Sequence, residues 1–253
     1  MKKILTIFAL GLLSLSLSSQ ESARWLRKSD ISADGSTIAF SYQGDIFTVP
    51  VSGGLAKQIT SNQAYDSDPL WTADGKSIVF SSFREDTKDI WIISAEGGKA
   101  RRLTTFPGAE TPLFVSKEGV VYFSANIQPD VNYDKFPGEP QVYTVNIKDG
   151  KSSLYTSIPM MNISANSNGI VLYEDYKGYE DPLRKHHTSS VTRDIWKYLP
   201  KKGQYQKLSR FAGENRNPVF TSNGLDYYFL SEQSGNFNVW KSNINAPETA
   251  TQI

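Results

Sequence analysis

The chain has 253 residues, 39% of them hydrophobic, and Lys+Arg 27 against Asp+Glu 26 leave a net charge of +1. Such a chain can bury a sizeable core as one large domain or two ordinary ones, and it is not disordered. The near-neutral balance excludes a global attraction to nucleic acid or anionic lipid. The absence of cysteine excludes disulfides, thiolate chemistry, Cys-based zinc sites and a lipoprotein-type acyl anchor.

The first stretch, "MKKILTIFALGLLSLSLSSQES", sets Lys2 and Lys3 before an uncharged apolar run from Ile4 to about Leu17, and then small residues Ser18 and Ser19. That three-part order is the pattern of a secretory signal peptide. The apolar run is short of the roughly 20 residues that span a bilayer. Residues 1–19 are therefore expected to be a signal peptide. The mature chain, 20–253, is expected in the periplasm or outside the cell, with no membrane association after cleavage.

From there the chain repeats itself. Asp34-Gly35 recurs as Asp74-Gly75, Glu118-Gly119, Asn168-Gly169 and Asn223-Gly224, each followed by an apolar, β-branched or aromatic run: "TIAFS", "SIVFS", "VVYFS", "IVLYE", "DYYFL". A second strand type follows each, as "GDIFTVP", "KDIWIIS", "PQVYTVN", "RDIWKYL" and "NFNVWKS". Four copies then turn at a glycine and end in "KQIT", "RRLT", "SLYT" or "QKLS", and the fifth ends in "TQI". The glycine anchors are spaced by 40, 44, 50 and 55 residues.

A unit of forty-odd residues reading strand, turn, strand, loop, strand, turn, strand predicts an all-β fold, a β-propeller of four-stranded antiparallel blades. Each blade cannot bury both faces alone, so the pattern must return. The repeats run approximately 29–66, 67–110, 111–158, 159–214 and 215–253. The aromatics Phe47, Trp91 and Trp196 are expected to fill the spaces between blades. Five hairpins could also make a sandwich or a barrel, but the ordered return of both turns and both strand types favours the propeller. No segment after the leader shows sustained helical periodicity.

The units "SADGSTIAFSYQGDIFTVPVSGG" and "DPLWTADGKSIVFSSFREDTKDIWIISAEGGKARRLTT" resemble the PD40-type propeller repeat of TolB-like proteins and tricorn-type proteases. The stretch "EDPLRKHHTSSVTRDIW" is similar to the fourth blade of the amino-terminal propeller of bacterial tricorn protease homologues. The resemblance implies a six-bladed propeller that precedes a second propeller and a serine-peptidase region of the S41 type. It implies a non-catalytic role in guiding or filtering peptides and in assembly. It places the nucleophile, base and oxyanion hole in downstream domains, so no residue of this sequence takes a catalytic role from it. Five units, with an end inside a last strand, lead us to expect a part of a longer peptidase. A free-standing TolB-like protein-binding module is the alternative. An open ring would also leave strand edges free for association between copies.

Several residues are candidates for contact. His186-His187 beside Ser189-Ser190 does not read as a Ser–His pair, because sequence neighbours on an extended chain point to opposite sides. Nor does an adjacent histidine pair have the spacing of a helical zinc site. No cofactor or metal is expected. Between Arg184 and Arg210 eight Lys/Arg stand against Asp194 alone. That excess reads either as a solvated, partly self-compensating surface or as a docking face for peptide carboxylates or an acidic partner. The recurrent acids Asp45, Asp89 and Asp194 are expected to be structural, accepting hydrogen bonds at the start of the third strand. Long insertions at 125–140 and 174–192 should emerge on one face of the disc, and their Tyr133, Phe136, Tyr176 and Tyr179 suit a contact surface. The contact set is thus Arg184, Lys185, His186, His187 and Arg193 with these four aromatics, and the expected partners are peptides or unfolded polypeptide and downstream protease domains.

Overall fold

The computed structural model describes residues 25–127, 140–179 and 188–253, and over them the chain forms five four-stranded antiparallel sheets. Blade 1 holds β1 (Arg27–Ile31), β2 (Thr37–Tyr42), β3 (Asp45–Pro50) and β4 (Lys57–Gln58). Blade 2 holds β5 (Asp66–Trp71), β6 (Ser77–Ser82), β7 (Asp89–Ser94) and β8 (Arg101–Arg102). Blade 3 holds β9 (Glu110–Val115), β10 (Val120–Ala125), β11 (Gln141–Asn146) and β12 (Ser152–Thr156). Blade 4 holds β13 (Met160–Ala165), β14 (Val171–Asp175), β15 (Ile195–Leu199) and β16 (Gln204–Lys207). Blade 5 holds β17 (Asn215–Phe220), β18 (Asp226–Ser231), β19 (Asn238–Asn243) and β20 (Ala246–Gln252). The sheets follow one another as a five-bladed propeller, with the first strand of each blade packed on the first strand of the next. A sixth blade, implied by the resemblance, is not among the described residues.

The turns form because their side chains supply what the backbone needs. Asp34 Oδ1 accepts from Ser32 Oγ at 2.6 Å and from Ser36 N at 3.0 Å, and Gly35 takes φ 72°. Blade 2 repeats the device with Asp74, Thr72 and Lys76, and Gly75 at φ 67°. A positive φ costs glycine little, which is why these positions keep it.

Alternation then sorts the strand residues into the seams between blades. Ala39, Ile46 and Ile59 of blade 1 meet Trp71, Ile78, Phe80, Trp91 and Ile93 of blade 2. The opposite face of blade 2 (Val79, Ile90, Ile92, Leu103) meets Val121, Phe123, Tyr143 and Val145 of blade 3. Val142 leads into a seam with Met160, Val171 and Tyr173, beside which Trp196 packs, and Leu172, Ile195 and Leu208 close on Tyr227, Phe229 and Ile244. Trp91 and Trp196 thus fill seams, as expected, whereas Phe47 packs on Phe40 and Tyr42 of its own blade and fills none.

Among the described residues, the two terminal faces lack this cover. Ile78, Phe80, Trp91 and Ile93 are 0–8% exposed, whereas their repeat equivalents Ile38, Phe40, Phe47 and Val49 on blade 1 are only half-buried. On blade 5, Tyr228 and Val239 are 42% and 44% exposed where the equivalent Val79 and Ile90 are at 0%.

Polar ties fix the blades to each other. Asp66 N donates to Gly44 O at 2.7 Å, Glu110 N to Lys88 O at 2.8 Å and Asn215 N to Arg193 O at 3.1 Å. Each binds the start of a first strand to the start of the preceding blade's third strand. Nearer the turns, Trp71 N donates to Asp30 Oδ2 at 2.7 Å and Phe220 N to Ser164 Oγ at 3.0 Å.

Candidate functional site

In a four-stranded meander the first and third connections leave one edge of the disc. The second connection and the linker to the next blade leave the other, here termed the loop face. Both insertions therefore have their described ends, Ala125 and Gln141 and then Asp175 and Ile195, on the loop face. They connect β10 to β11 and β14 to β15.

The loop face carries exposed aromatic side chains. Trp25 precedes β1, Tyr65 lies in the linker between blades 1 and 2, Phe83 follows β6 and Tyr179 follows β14, and all four are exposed, Tyr179 by 81%. Tyr176 is half-buried in the same connection. Tyr133 and Phe136 lie outside the described residues, as do Arg184, Lys185, His186, His187, the acids Glu180 and Asp181, and the proposed leader.

Beside these aromatics stand cations held by buried acids. Arg84 pairs with Asp66 at 2.7 Å and lies over the rings of Phe80 and Trp91, at 5.2 and 5.4 Å. Arg193 pairs with the fully buried Glu174 at 2.6 Å. Glu174 also accepts from Asn162 Nδ2 at 2.8 Å and from Asn217 N at 3.0 Å, so this ion pair ties blade 4 to blade 5. Arg193 is therefore committed inward. Lys88 bridges Asp68 and Thr111 across blades 2 and 3.

Asp194 is a node. Lys177 reaches it at 2.7 Å, Lys207 at 2.8 Å and Ser209 Oγ at 2.7 Å, while Lys177 also meets Asp175 at 3.3 Å. Burial works to raise the Asp194 pKa, but the hydrogen bonds from Lys177, Lys207 and Ser209 outweigh it and hold the group below its ordinary value. Burial pushes Asp175 up, against the Asp194 N–H and Lys177. For Lys177, burial pulls the pKa down and the two aspartates more than restore it. Part of the basic excess in 184–210 is thus spent inside the fold on Glu174 and Asp194, while Lys201, Lys202 and Arg210 remain exposed.

The recurrent acid has the structural job expected of it, through a different bond. In blade 1, Thr60 Oγ1 accepts the Ile46 N–H at 2.9 Å and donates to Asp45 at 3.1 Å. In blade 4, Ser209 Oγ does the same between Ile195 N and Asp194. The acid orients a hydroxyl, and the hydroxyl takes the backbone N–H. Blade 2 differs: Thr104 accepts from Ile90 N but donates to Glu110, while Asp89 takes Thr87 and Arg102. Sequence reading named these acids but not the closing Thr or Ser of "KQIT" and "QKLS", although that terminal hydroxyl was visible as part of the repeat.

Ser189 is bonded to Thr192. Ser189 N donates to Thr192 Oγ1 at 2.7 Å and Ser189 O accepts from it at 2.7 Å, which makes this a closed polar turn. Among the described residues, no group of three or more His, Cys, Asp or Glu side chains is arranged to hold a metal ion.

A family described as the Tricorn protease N-terminal beta propeller domain matches residues 23–252. The chain belongs to that family. It is 25% identical over 199 residues to the uncharacterized peptidase YuxL of Bacillus subtilis, covering 73% of this chain and 24% of that protein. It is 24% identical over 163 residues to a Tricorn-like protease N-terminal subunit of Sulfurisphaera tokodaii, covering 58% of this chain and 77% of the other. Its fold is like that in a crystal structure of the tricorn protease, with a TM-score of 0.72 and 18% identity, covering 90% of this chain and 22% of that one. The chain thus spans about a quarter of the length of the Bacillus peptidase.

Proposed function

We propose that this chain is the non-catalytic propeller of an exported tricorn-like serine peptidase, and that its loop face receives peptides or unfolded polypeptide on their way to protease domains. The observation that supports this most is the family match over 23–252 together with a loop face where exposed Trp25, Tyr65, Phe83 and Tyr179 stand near anchored cations. Aromatic side chains give large, sequence-tolerant contact area at low entropic cost, and nearby cations favour peptide carboxylates. No catalytic residue is assigned. The expected contact set is Tyr133, Phe136, Tyr176, Tyr179, Arg184, Lys185, His186 and His187, with Arg193 serving through Glu174 as support. We further propose that another sheet covers the open faces of blades 1 and 5, since each presents the residue pattern that the inner blades bury.

Fluorescence anisotropy with labelled unstructured peptides tests the reading. Tyr179→Ser combined with Arg184→Glu and Lys185→Glu is expected to weaken binding at least about tenfold, since about 1.4 kcal/mol corresponds to that factor. Unchanged affinity in the folded triple variant would contradict it.

A second reading is a separate subunit that serves a protease on another chain. The Sulfurisphaera relative, an N-terminal subunit of which this chain matches 77%, favours it. Co-purification with or without a separate peptidase from the native source discriminates the two.

A further inference from the structure

The seam between blades 2 and 3 contains more buried acid than base. Glu110 at the start of β9 and Asp89 at the start of β7 are both at 0% exposure. Glu110 occupies the place that the backbone ties give to Asp66 and Asn215 in blades 2 and 5. Asp66 has its own cation in Arg84, and Asn215 is neutral. Glu110 has neither advantage. Its Oε2 accepts from Ile90 N at 3.2 Å and from the Thr104 hydroxyl, while Oε1 has no hydrogen-bond partner. Asp89 Oδ2 takes Arg102 at 2.7 Å and Thr87 Oγ1 at 3.1 Å, and Oδ1 is likewise unpartnered.

Among the described residues, β6, β7 and β8 bring polar groups to the pair. From β7 come Asp89 and the Ile90 N–H, and from β8 and the residues after it come Arg102 and Thr104. From β6 comes Ser81, whose Oγ donates to Glu110 O at 2.8 Å. Lys88 turns away to Asp68 and Thr111. Among the described residues, one guanidinium thus stands for two buried carboxyls: Arg102 bonds Asp89 while its Nε has no acceptor, and Glu110 Oε1 and Asp89 Oδ1 have no donor. A buried, unpaired carboxylate is costly, and the least costly repair is a proton.

We infer that Glu110 is held protonated in the closed seam and that its ionisation loosens blade 2 from blade 3, which makes this joint a pH-sensitive element of the propeller. The proton supplies the donor that the orphaned oxygens lack and removes one of the two negative charges. Burial pushes the Glu110 pKa up from 4.5 to about 7, helped by the charge of Asp89 and opposed by the bonds from Thr104 and Ile90 and by Arg102. A group whose folded pKa is raised contributes stability that is complete below its unfolded value, here 4.5, and is lost as pH rises through the folded value, about 7. The joint is thus tight in mild acid and weakened above neutrality.

Carbon-13 NMR of the carboxyl groups in the folded chain tests this, together with thermal unfolding between pH 5.5 and pH 8.5. The Glu110 carboxyl is expected to titrate near neutrality. The wild-type unfolding midpoint should fall across that range, while Glu110→Gln, which keeps the shape without the charge, flattens the dependence. Asp89→Asn should move the Glu110 midpoint downward. A Glu110 resonance that titrates near 4.5, or a Glu110→Gln chain with the same pH slope as wild type, would overturn the inference. Should Glu110→Gln not fold, the titration of the wild-type resonance alone still decides.

Discussion

The pair of Arg193 and Glu174 shows how a residue that looks like a ligand contact in the sequence becomes part of the frame. Glu174 is fully buried and takes bonds from Arg193, Asn162 and the Asn217 backbone, so it joins two blades at the rim of the loop face. Removing only the cation strands a buried charge. Arg193→Ala is therefore expected to cost about 3–5 kcal/mol in a denaturant melt, and an effect below about 1 kcal/mol would show that Glu174 reaches water. The hydroxyl relay predicts a smaller loss. Ser209→Ala leaves the Ile195 N–H without its 3.2 Å side-chain acceptor and should cost about 1–3 kcal/mol. Sequence alone revealed the acids of this relay because they recur. Which atom received the bond was not legible, since Asp45 and Asp194 use a hydroxyl fifteen residues downstream in each case.

At the scale of the strand, turns and strand types were legible because hairpin chemistry is local. Asp34 and Asp74 bind their own turns, and the alternating residues that follow have a single arrangement that keeps Ile78 and Phe80 on one face and Val79 on the other. Gly75→Ala meets no atom within 4 Å, so its whole cost is the backbone at φ 67°, about 1–2 kcal/mol by chemical denaturation. The bulges were less legible. Lys28, Asp68, Asn162 and Asn217 take positive φ inside β1, β5, β13 and β17, where the pairing register shifts. Asp and Asn tolerate that region and could have hinted at three of the four, but Lys28 gives no local signal. The extent of β20 was also hidden. Its seven residues, Ala246–Gln252, exceed the two of β4 and β8, because its pairing with β19 resumes across a register shift.

At the scale of the molecule, the four hydrophobic clusters among the described residues correspond to the four seams between their blades, so each blade is held mainly by its neighbours. The same repeat position then has different weight according to where it sits in the wheel. Ile90→Ala, at 0% exposure between blades 2 and 3, is expected to cost about 2–5 kcal/mol. Val239→Ala, its equivalent on the open face of blade 5, should cost less than about 1 kcal/mol in this chain. Equal costs would mean that the blade 5 face is covered. The radial order was legible because a repeating unit with two apolar faces has few other solutions. The contact surface that we propose was legible only in outline. Tyr179 and the insertions stood out by length and composition, whereas Tyr65 and Phe83 come onto the loop face through the topology, and Arg193 turns inward for the same reason.

The most direct test of the account is photo-crosslinking of unstructured peptides to purified chain 20–253, read by mass spectrometry. The account predicts intact peptides joined to the loop face, around Tyr65, Phe83, 125–140 and 174–192. Crosslinks gathered instead on the turn face around Gly35, Gly75 and Gly224, or cleaved peptide in the mixture, would contradict it.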